Sequence, residues 1–237
     1  MTGKTVGILG GLGPLATAYF MELVIHHTVA ARDQDHIDMV VSNHATIPDR
    51  TDFILGRSPL NPLGAMIGDA KKLEAYGVDF VVMPCNTASF FFDEIRQSIG
   101  IAMVNIVEEA VRYARETVPG LSRLGILATD GTILSGTYDQ ECSKQGITAQ
   151  HPTDAQAQVL MHIIYDEVKA GRRGNTTELL GVIDAMLADG CTAVVLGCTE
   201  LSTMCQSSTA LRAPGIIDSL YALARRTILL AGKDFRE

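Results

Sequence analysis

Gly77-Val78-Asp79-Phe80-Val81-Val82-Met83-Pro84-Cys85-Asn86-Thr87-Ala88 reads as a helix end, a buried strand and a cysteine at the strand's exit. A short run of consecutive apolar residues bounded by turn formers is the mark of a strand covered on both faces, as in a parallel sheet. The chain then repeats itself as Gly190-Cys191-Thr192-Ala193-Val194-Val195-Leu196-Gly197-Cys198-Thr199-Glu200-Leu201. In both copies a Gly stands eight positions before the cysteine, and the apolar run leads into Cys-Asn-Thr or Cys-Thr. Two copies of one strand–turn–helix unit each deliver a thiol.

Upstream of the first copy, Thr5-Val6-Gly7-Ile8-Leu9 is another buried-strand run, followed by the turn Gly10-Gly11-Leu12-Gly13-Pro14. Pro14 suits the first turn of a helix, where its missing N–H costs nothing. The pattern predicts helices over 15–31, 64–76, 89–98 and 107–117, and strands over 37–42, 80–83 and 102–106. Residues 43–62 carry Pro48, Gly56, Pro59 and Pro62 and read as a long loop bearing Asp49-Arg50-Thr51-Asp52. Loops of that length in a compact domain are often functional. Pro119-Gly120 breaks the chain, and Arg123-Leu124-Gly125-Ile126-Leu127-Ala128-Thr129-Asp130-Gly131-Thr132 restates the opening. Strands over 146–149, 193–196 and 215–218 and helices over 153–170, 176–188 and 219–230 complete the second half. The 153–170 helix ends at a Gly C-cap, Lys169-Ala170-Gly171.

The order is βαβαβαβα, twice. Gly7 and Gly125 lie 118 positions apart and Cys85 and Cys198 lie 113 apart, the offset of a duplicated unit. The expectation is an α/β protein of two similar doubly wound parallel-sheet domains, 1–118 and 119–237, related by a pseudo-two-fold axis. The last helix is free to pack back on the first domain. Ligands of such sheets bind beyond the carboxyl ends of the strands, where both cysteines lie. They would face each other across the cleft between the halves.

Composition narrows the chemistry. The 237 residues are 47% apolar, ample for a core, and the formal charge of −8 argues against nucleic acid or an anionic membrane as partner. An acidic small molecule then needs local Arg or Lys. There is no signal-peptide pattern at the start and no apolar run near the ~18 residues of a membrane span. Five cysteines without C-x-x-C or a Cys/His cluster point to reduced thiols in the cytoplasm rather than disulfides or zinc. Asn175-Thr176-Thr177 matches a glycosylation sequon, which is idle without a secretory route. The six histidines show no H-E-x-x-H spacing, so no metal is expected.

A buried cysteine is ordinarily a small apolar packing group. Two at equivalent strand ends, each next to a helix N-terminus that favours thiolate, are not accounted for by packing alone. Cys142, Cys191 and Cys205 have no such setting and are taken as structural. A dithiol redox pair normally uses C-x-x-C, and a metal wants more than two ligands. Inversion at a carbon needs a base on one face and an acid on the other, with the roles exchanged in reverse. A thiolate/thiol couple meets that need. Donors for the carboxylate of the intermediate are at hand in backbone N–H groups, Asn86, Thr87 and Thr199. Gly11-Leu12-Gly13-Pro14-Leu15-Ala16 fits G-x-G-x-x-A, but the second strand ends in Ser42-Asn43-His44 without the acid a dinucleotide site requires. It reads as a tight turn, or as amides that hold a carboxylate. Arg50, on the sheet edge of Cys85, suits bidentate carboxylate binding. Lys169 by itself reads as a helix-dipole residue.

Ile8-Leu9-Gly10-Gly11-Leu12-Gly13-Pro14-Leu15-Ala16-Thr17, Ile47-Pro48-Asp49-Arg50-Thr51, Pro84-Cys85-Asn86-Thr87-Ala88 and Gly197-Cys198-Thr199-Glu200-Leu201 together resemble the aspartate/glutamate racemase superfamily. The aspartate racemase branch, with its broad-specificity amino-acid racemases, is the closer match. Glutamate racemases look like Asp-Ser-Gly and Gly-Cys-Thr-His where this chain has Leu9-Gly10-Gly11 and Glu200. The resemblance covers essentially the whole chain. It implies cofactor-independent racemisation of aspartate or glutamate, without PLP, in two α/β domains, often as a homodimer. By motif match Cys85 and Cys198 are the acid/base pair, and Asn86, Thr87 and Thr199 bind the α-carboxylate or α-amino group. Arg50 and Lys169 resemble the residues that hold the side-chain carboxylate, and Thr129 and Thr132 look like further substrate contacts. Many members carry Met where Leu12 stands near the substrate, and some replace the first cysteine by Thr. Keeping both cysteines implies two-way racemisation. Other readings of the same residues are maleate isomerisation, malonate decarboxylation, or a non-catalytic binder of an acidic amino acid.

Overall fold

The computed structural model describes residues 3–237. β1 (Val6–Gly10) is buried throughout and leads into α1 (Pro14–His27), with Pro14 in its first turn. Then come β2 (Met39–Asn43), α2 (Arg50–Ile54), α3 (Leu63–Tyr76) and β3 (Phe80–Val82). A 3-10 segment (Thr87–Phe91), α4 (Phe92–Gln97), β4 (Ala102–Val104) and α5 (Ile106–Thr117) close the first half. The second half runs β5 (Arg123–Leu127), α6 (Asp130–Ser135), α7 (Thr137–Lys144), β6 (Thr148–Gln150) and α8 (Asp154–Met161). A π-helical segment (His162–Val168) extends α8. α9 (Thr176–Ala188), β7 (Ala193–Leu196), α10 (Thr199–Met204), β8 (Ile216–Asp218) and α11 (Ser219–Leu230) follow.

Each half forms a four-stranded sheet, β2-β1-β3-β4 and β6-β5-β7-β8, with every pairing parallel. The chain leaves β1 for one edge and returns past it to β3, so the direction of winding reverses between β1 and β3, and likewise between β5 and β7. At such a reversal the connections diverge and leave a crevice beyond the strand ends. Gly11 and Cys85 leave β1 and β3 at one crevice; Thr129 and Cys198 leave β5 and β7 at the other.

The period of two along each strand divides the core. Val6, Ile8, Phe80 and Val82 join Leu124, Ile126, Ala193 and Val195 in one apolar cluster with residues of α1, α5 and α11. The alternate residues face outward, Val81 toward α3 and Val194 and Leu196 toward α9. The two halves thus share a core, and α11 packs on α1 and α5 of the first half. No helix among the described residues is long and apolar enough to cross a membrane.

The structure departs from the sequence reading in several places: the helix expected over 89–98 begins as the 3-10 segment, and the strand expected over 102–106 ends at Val104 because Asn105 caps α5. The helix predicted to residue 31 stops at His27, because Thr28 leaves helical geometry, donates its hydroxyl to Val24 O and bridges to Phe235. The 43–62 loop contains α2, capped by the Asp49 side chain, which accepts from the Asp52 N–H. The 153–170 helix changes to π geometry at His162.

Gly131 sets how closely the halves approach, since a Cβ there would lie 2.8 Å from Thr51 Cα. Gly131→Ala is expected to cost about 1–3 kcal/mol in chemical denaturation, as an overpacked contact does. Gly68→Ala, with open space around it inside α3, is expected to be neutral or slightly stabilising in the same assay.

Candidate active site

Cys85 and Cys198 line one inner pocket between the two crevices, with Leu12, Arg50, Asn86, Thr87, Thr129, Lys169 and Thr199 around them. Thr132 stands just behind, hydrogen-bonded to Thr87 at 2.8 Å. The inner pocket holds about 10 Å3 of free space, roughly one water. It adjoins an open cleft of about 650 Å3 between the Gly11–Ala16 turn and the end of the π-helical segment. Asp49, Arg50, Lys169 and Glu200 line both spaces and so stand between them.

The threonines tie the halves together. Thr87, Thr129 and Thr132 form a triangle of hydroxyls at 2.8–3.1 Å, and Thr51 donates to Thr129 at 3.2 Å. Thr129 also caps α6, accepting from the Thr132 N–H. Asn86 donates to Ser219 Oγ at 3.0 Å and accepts from Tyr138 Oη at 2.7 Å, so both ends of its amide grip the second half.

Two cations and two carboxylates face one another. Arg50 is buried and donates to the carbonyls of Ile47, Pro48 and Leu12 at 3.0–3.3 Å, while its Nε has no partner among the described residues. Lys169 Nζ lies 3.3 Å from Asp49 Oδ2 and 3.8 Å from the centre of the Tyr165 ring. Tyr165 donates its hydroxyl to Asp49 at 3.1 Å. Burial works against the Lys169 ammonium, but the negative charge of Glu200 and its neighbours holds its pKa above the ordinary lysine value. Burial raises Asp49, yet Lys169, the Asp52 N–H and Arg50 together leave it below the usual carboxylate range. Burial pushes Tyr165 up to about 12.

Both thiols are buried, and burial dominates their titration. Cys85 is raised by burial against the opposing pull of the Arg50 charge and the Ala88 N–H. Cys198 is raised well above the ordinary thiol value by burial and then by the Glu200 carboxylate. The N–H groups at the segment starts lower both thiols in the expected direction, and burial outweighs them. The supporting elements are a 3-10 segment and a six-residue helix, too short to offset desolvation. Cys198 Sγ donates to Glu200 Oε2 at 2.9 Å. All five cysteines are unpaired and buried, and Cys142, Cys191 and Cys205 lie outside this pocket.

Sequence reasoning passed over Asp49, Thr51, Tyr165 and Glu200 as site residues. Asp49 carried a signal, an N-cap residue ahead of Asp52. Tyr165 precedes Lys169 by four positions, the spacing of neighbours on a helical face. Glu200 stood out only as a departure from a motif. Among the described residues there is no cluster of three or more His, Cys, Asp or Glu side chains able to hold a metal ion.

The model of the Asp/Glu/Hydantoin racemase family matches residues 9–227. The broad specificity amino-acid racemase RacX of Bacillus subtilis is 29% identical over 227 residues, covering 94% of this chain and 96% of that protein. The solved aspartate racemase of Picrophilus torridus superposes with a TM-score of 0.83 at 29% identity, over 99% of this chain and 96% of that one. A glutamate racemase of Francisella tularensis, solved with D-glutamate, shares the fold with a TM-score of 0.67 at 18% identity, over 96% and 81% of the two chains.

Proposed function

The chain belongs to the Asp/Glu/Hydantoin racemase family, and from that premise we propose that it racemises an amino acid by proton transfer between Cys85 and Cys198. The observation that carries the reading is the shared pocket: two thiols from equivalent strand exits converge on one enclosed space. One sulfur, as thiolate, removes the α-hydrogen; the other, as thiol, returns a proton to the opposite face. N–H groups and threonine hydroxyls at the strand exits stabilise the charge that develops on the α-carboxylate. No cofactor takes part.

The substrate proposed is an acidic amino acid, aspartate or glutamate. Its support is the orphan Nε of buried Arg50 together with Lys169. A buried donor without a partner costs free energy that a ligand carboxylate can recover. Asp49 offers an anion for the α-ammonium group, and Glu200 stands with it between the two spaces. Because these four groups balance in charge, neutral side chains belong in the substrate panel as well. Binding requires the inner pocket to widen, and the Lys169–Asp49 contact, half-buried at the boundary, is the natural one to part. The unit proposed is a cytoplasmic homodimer. The five unpaired thiols support a reducing compartment, and exposed Phe90 and Leu134 support an apolar interface.

In deuterated water, both enantiomers of the substrate are expected to exchange the α-hydrogen and to converge on the racemate without added PLP or metal. Conversion of maleate to fumarate without such exchange would replace this reading with a same-fold isomerase. Tight aspartate binding with no exchange would replace it with a binding protein.

A further inference from the structure

The pair of thiols is not symmetric, and the asymmetry lies in Glu200. This carboxylate is buried at the start of α10, with no cation within ion-pairing distance among the described residues. Its Oε2 accepts from Cys198 Sγ at 2.9 Å and from Thr199 Oγ1 at 3.4 Å. Its Oε1 lies against Gly13, 3.4 Å from where a Cβ would stand, on the wall of the outer cleft. One carboxylate therefore touches the buried thiol with one oxygen and lies with the other against Gly13, a residue of the outer cleft's wall. Among the described residues Cys85 has no hydrogen-bonded carboxylate, and it lines the inner pocket with the Arg50 guanidinium, whose charge favours its thiolate.

A carboxylate beside a thiol favours the thiol, and a guanidinium beside a thiol favours the thiolate. We propose that the resting pair is polarised, with Cys198 as thiol and Cys85 as the member that forms thiolate, and that Glu200 holds the Cys198 proton and exchanges it with water in the outer cleft. This rests on the two-cysteine reading above. In one turnover Cys85 thiolate takes the α-proton and becomes thiol, while Cys198 gives its proton to the opposite face of the α-carbon and becomes thiolate. That thiolate now sits against the Glu200 carboxylate, a like-charge pair. A proton from water reaches Glu200 and passes to Cys198, and the proton on Cys85 leaves to water. One proton enters and one departs, and the resting state is restored. Glu200 acts through Cys198 and is a positioning and relay residue.

The test is alkylation by iodoacetamide, followed peptide by peptide by mass spectrometry across pH, with Cys142, Cys191 and Cys205 as internal references. In the unaltered protein Cys85 is expected to react before Cys198 as pH rises. In Glu200→Gln the Cys198 midpoint is expected to fall by about one pH unit or more, and further than that of Cys85, on which the Glu200 charge acts without a hydrogen bond. Racemisation by Glu200→Gln is expected to fall about 100-fold, the scale of a lost proton-transfer partner. A merely structural role would not lower the Cys198 midpoint further than that of Cys85. Cys198 reacting first in the unaltered protein would overturn the proposal without needing any variant to fold. An unmoved Cys198 midpoint, or undiminished racemisation, in Glu200→Gln would overturn it too. The outcomes separate from those of the parent reading, since Cys198→Ala inactive beside a fully active Glu200→Gln rejects the relay and leaves the two-cysteine reaction standing.

Discussion

Cys85→Ala and Cys198→Ala are each expected to lower racemisation about 1000-fold or more, from both enantiomers, because inversion needs a proton donor and an acceptor on opposite faces. The residual chemistry carries the more specific expectation. With one sulfur left, a single face of the α-carbon is still served, so each variant should exchange the α-hydrogen of one enantiomer without inverting it. The two variants should prefer opposite enantiomers. Both side chains are buried, and trimming Sγ leaves a void smaller than a methylene pair, so the fold is expected to lose only about 1 kcal/mol. Cys142→Ala, equally buried and outside the pocket, is the control and should racemise at the parent rate. Chiral chromatography measures inversion, and proton NMR in deuterated water measures exchange. Equal residual inversion in either single variant would remove the two-base mechanism, because no one-sided chemistry delivers it.

These expectations could be framed from sequence because the features behind them are local. The fully apolar runs before Cys85 and Cys198 specify buried parallel strands, and the carboxyl ends of such strands fix where the thiols emerge. The duplication was legible for the same reason, as Gly7 and Gly125 mark equivalent points of two sheets with the same strand order. What was not legible depended on the packing of one half against the other. Asn86 looked free to bind substrate, yet its amide is held by Ser219 and Tyr138, residues more than fifty positions away in the chain. Thr87, Thr129 and Thr132 looked like separate substrate contacts, and they bond first to one another. The thiols looked activated by helix ends, and the depth of their burial reverses the sign. Burial and long-range pairing are properties of the assembled core, which no window of sequence contains.

Arg50→Lys tests the other half of the reading, recognition of the carboxylate. Arg50 spends its terminal nitrogens on three backbone carbonyls, Ile47, Pro48 and Leu12, and this fixes the guanidinium plane at the boundary of the inner pocket. Those bonds join the end of the 43–49 stretch to the turn after β1, so the same residue shapes the pocket wall and keeps a buried Nε without a partner among the described residues. A lysine keeps the charge but offers one compact ammonium, which cannot satisfy three carbonyls and still supply an Nε-like donor. The expected loss in kcat/KM is about 100-fold, the scale of a lost charge-assisted hydrogen bond with the disordering of its support. Stability should fall by about 1–3 kcal/mol, since buried carbonyls are left without donors. The split between kcat and KM then distinguishes the roles. If Arg50 holds the side-chain carboxylate, KM for aspartate rises steeply while a neutral amino acid, where it is accepted, is penalised far less. An equal penalty on both substrates would mean that Arg50 only props the Leu12 turn, and the assignment of an acidic substrate would lose its support.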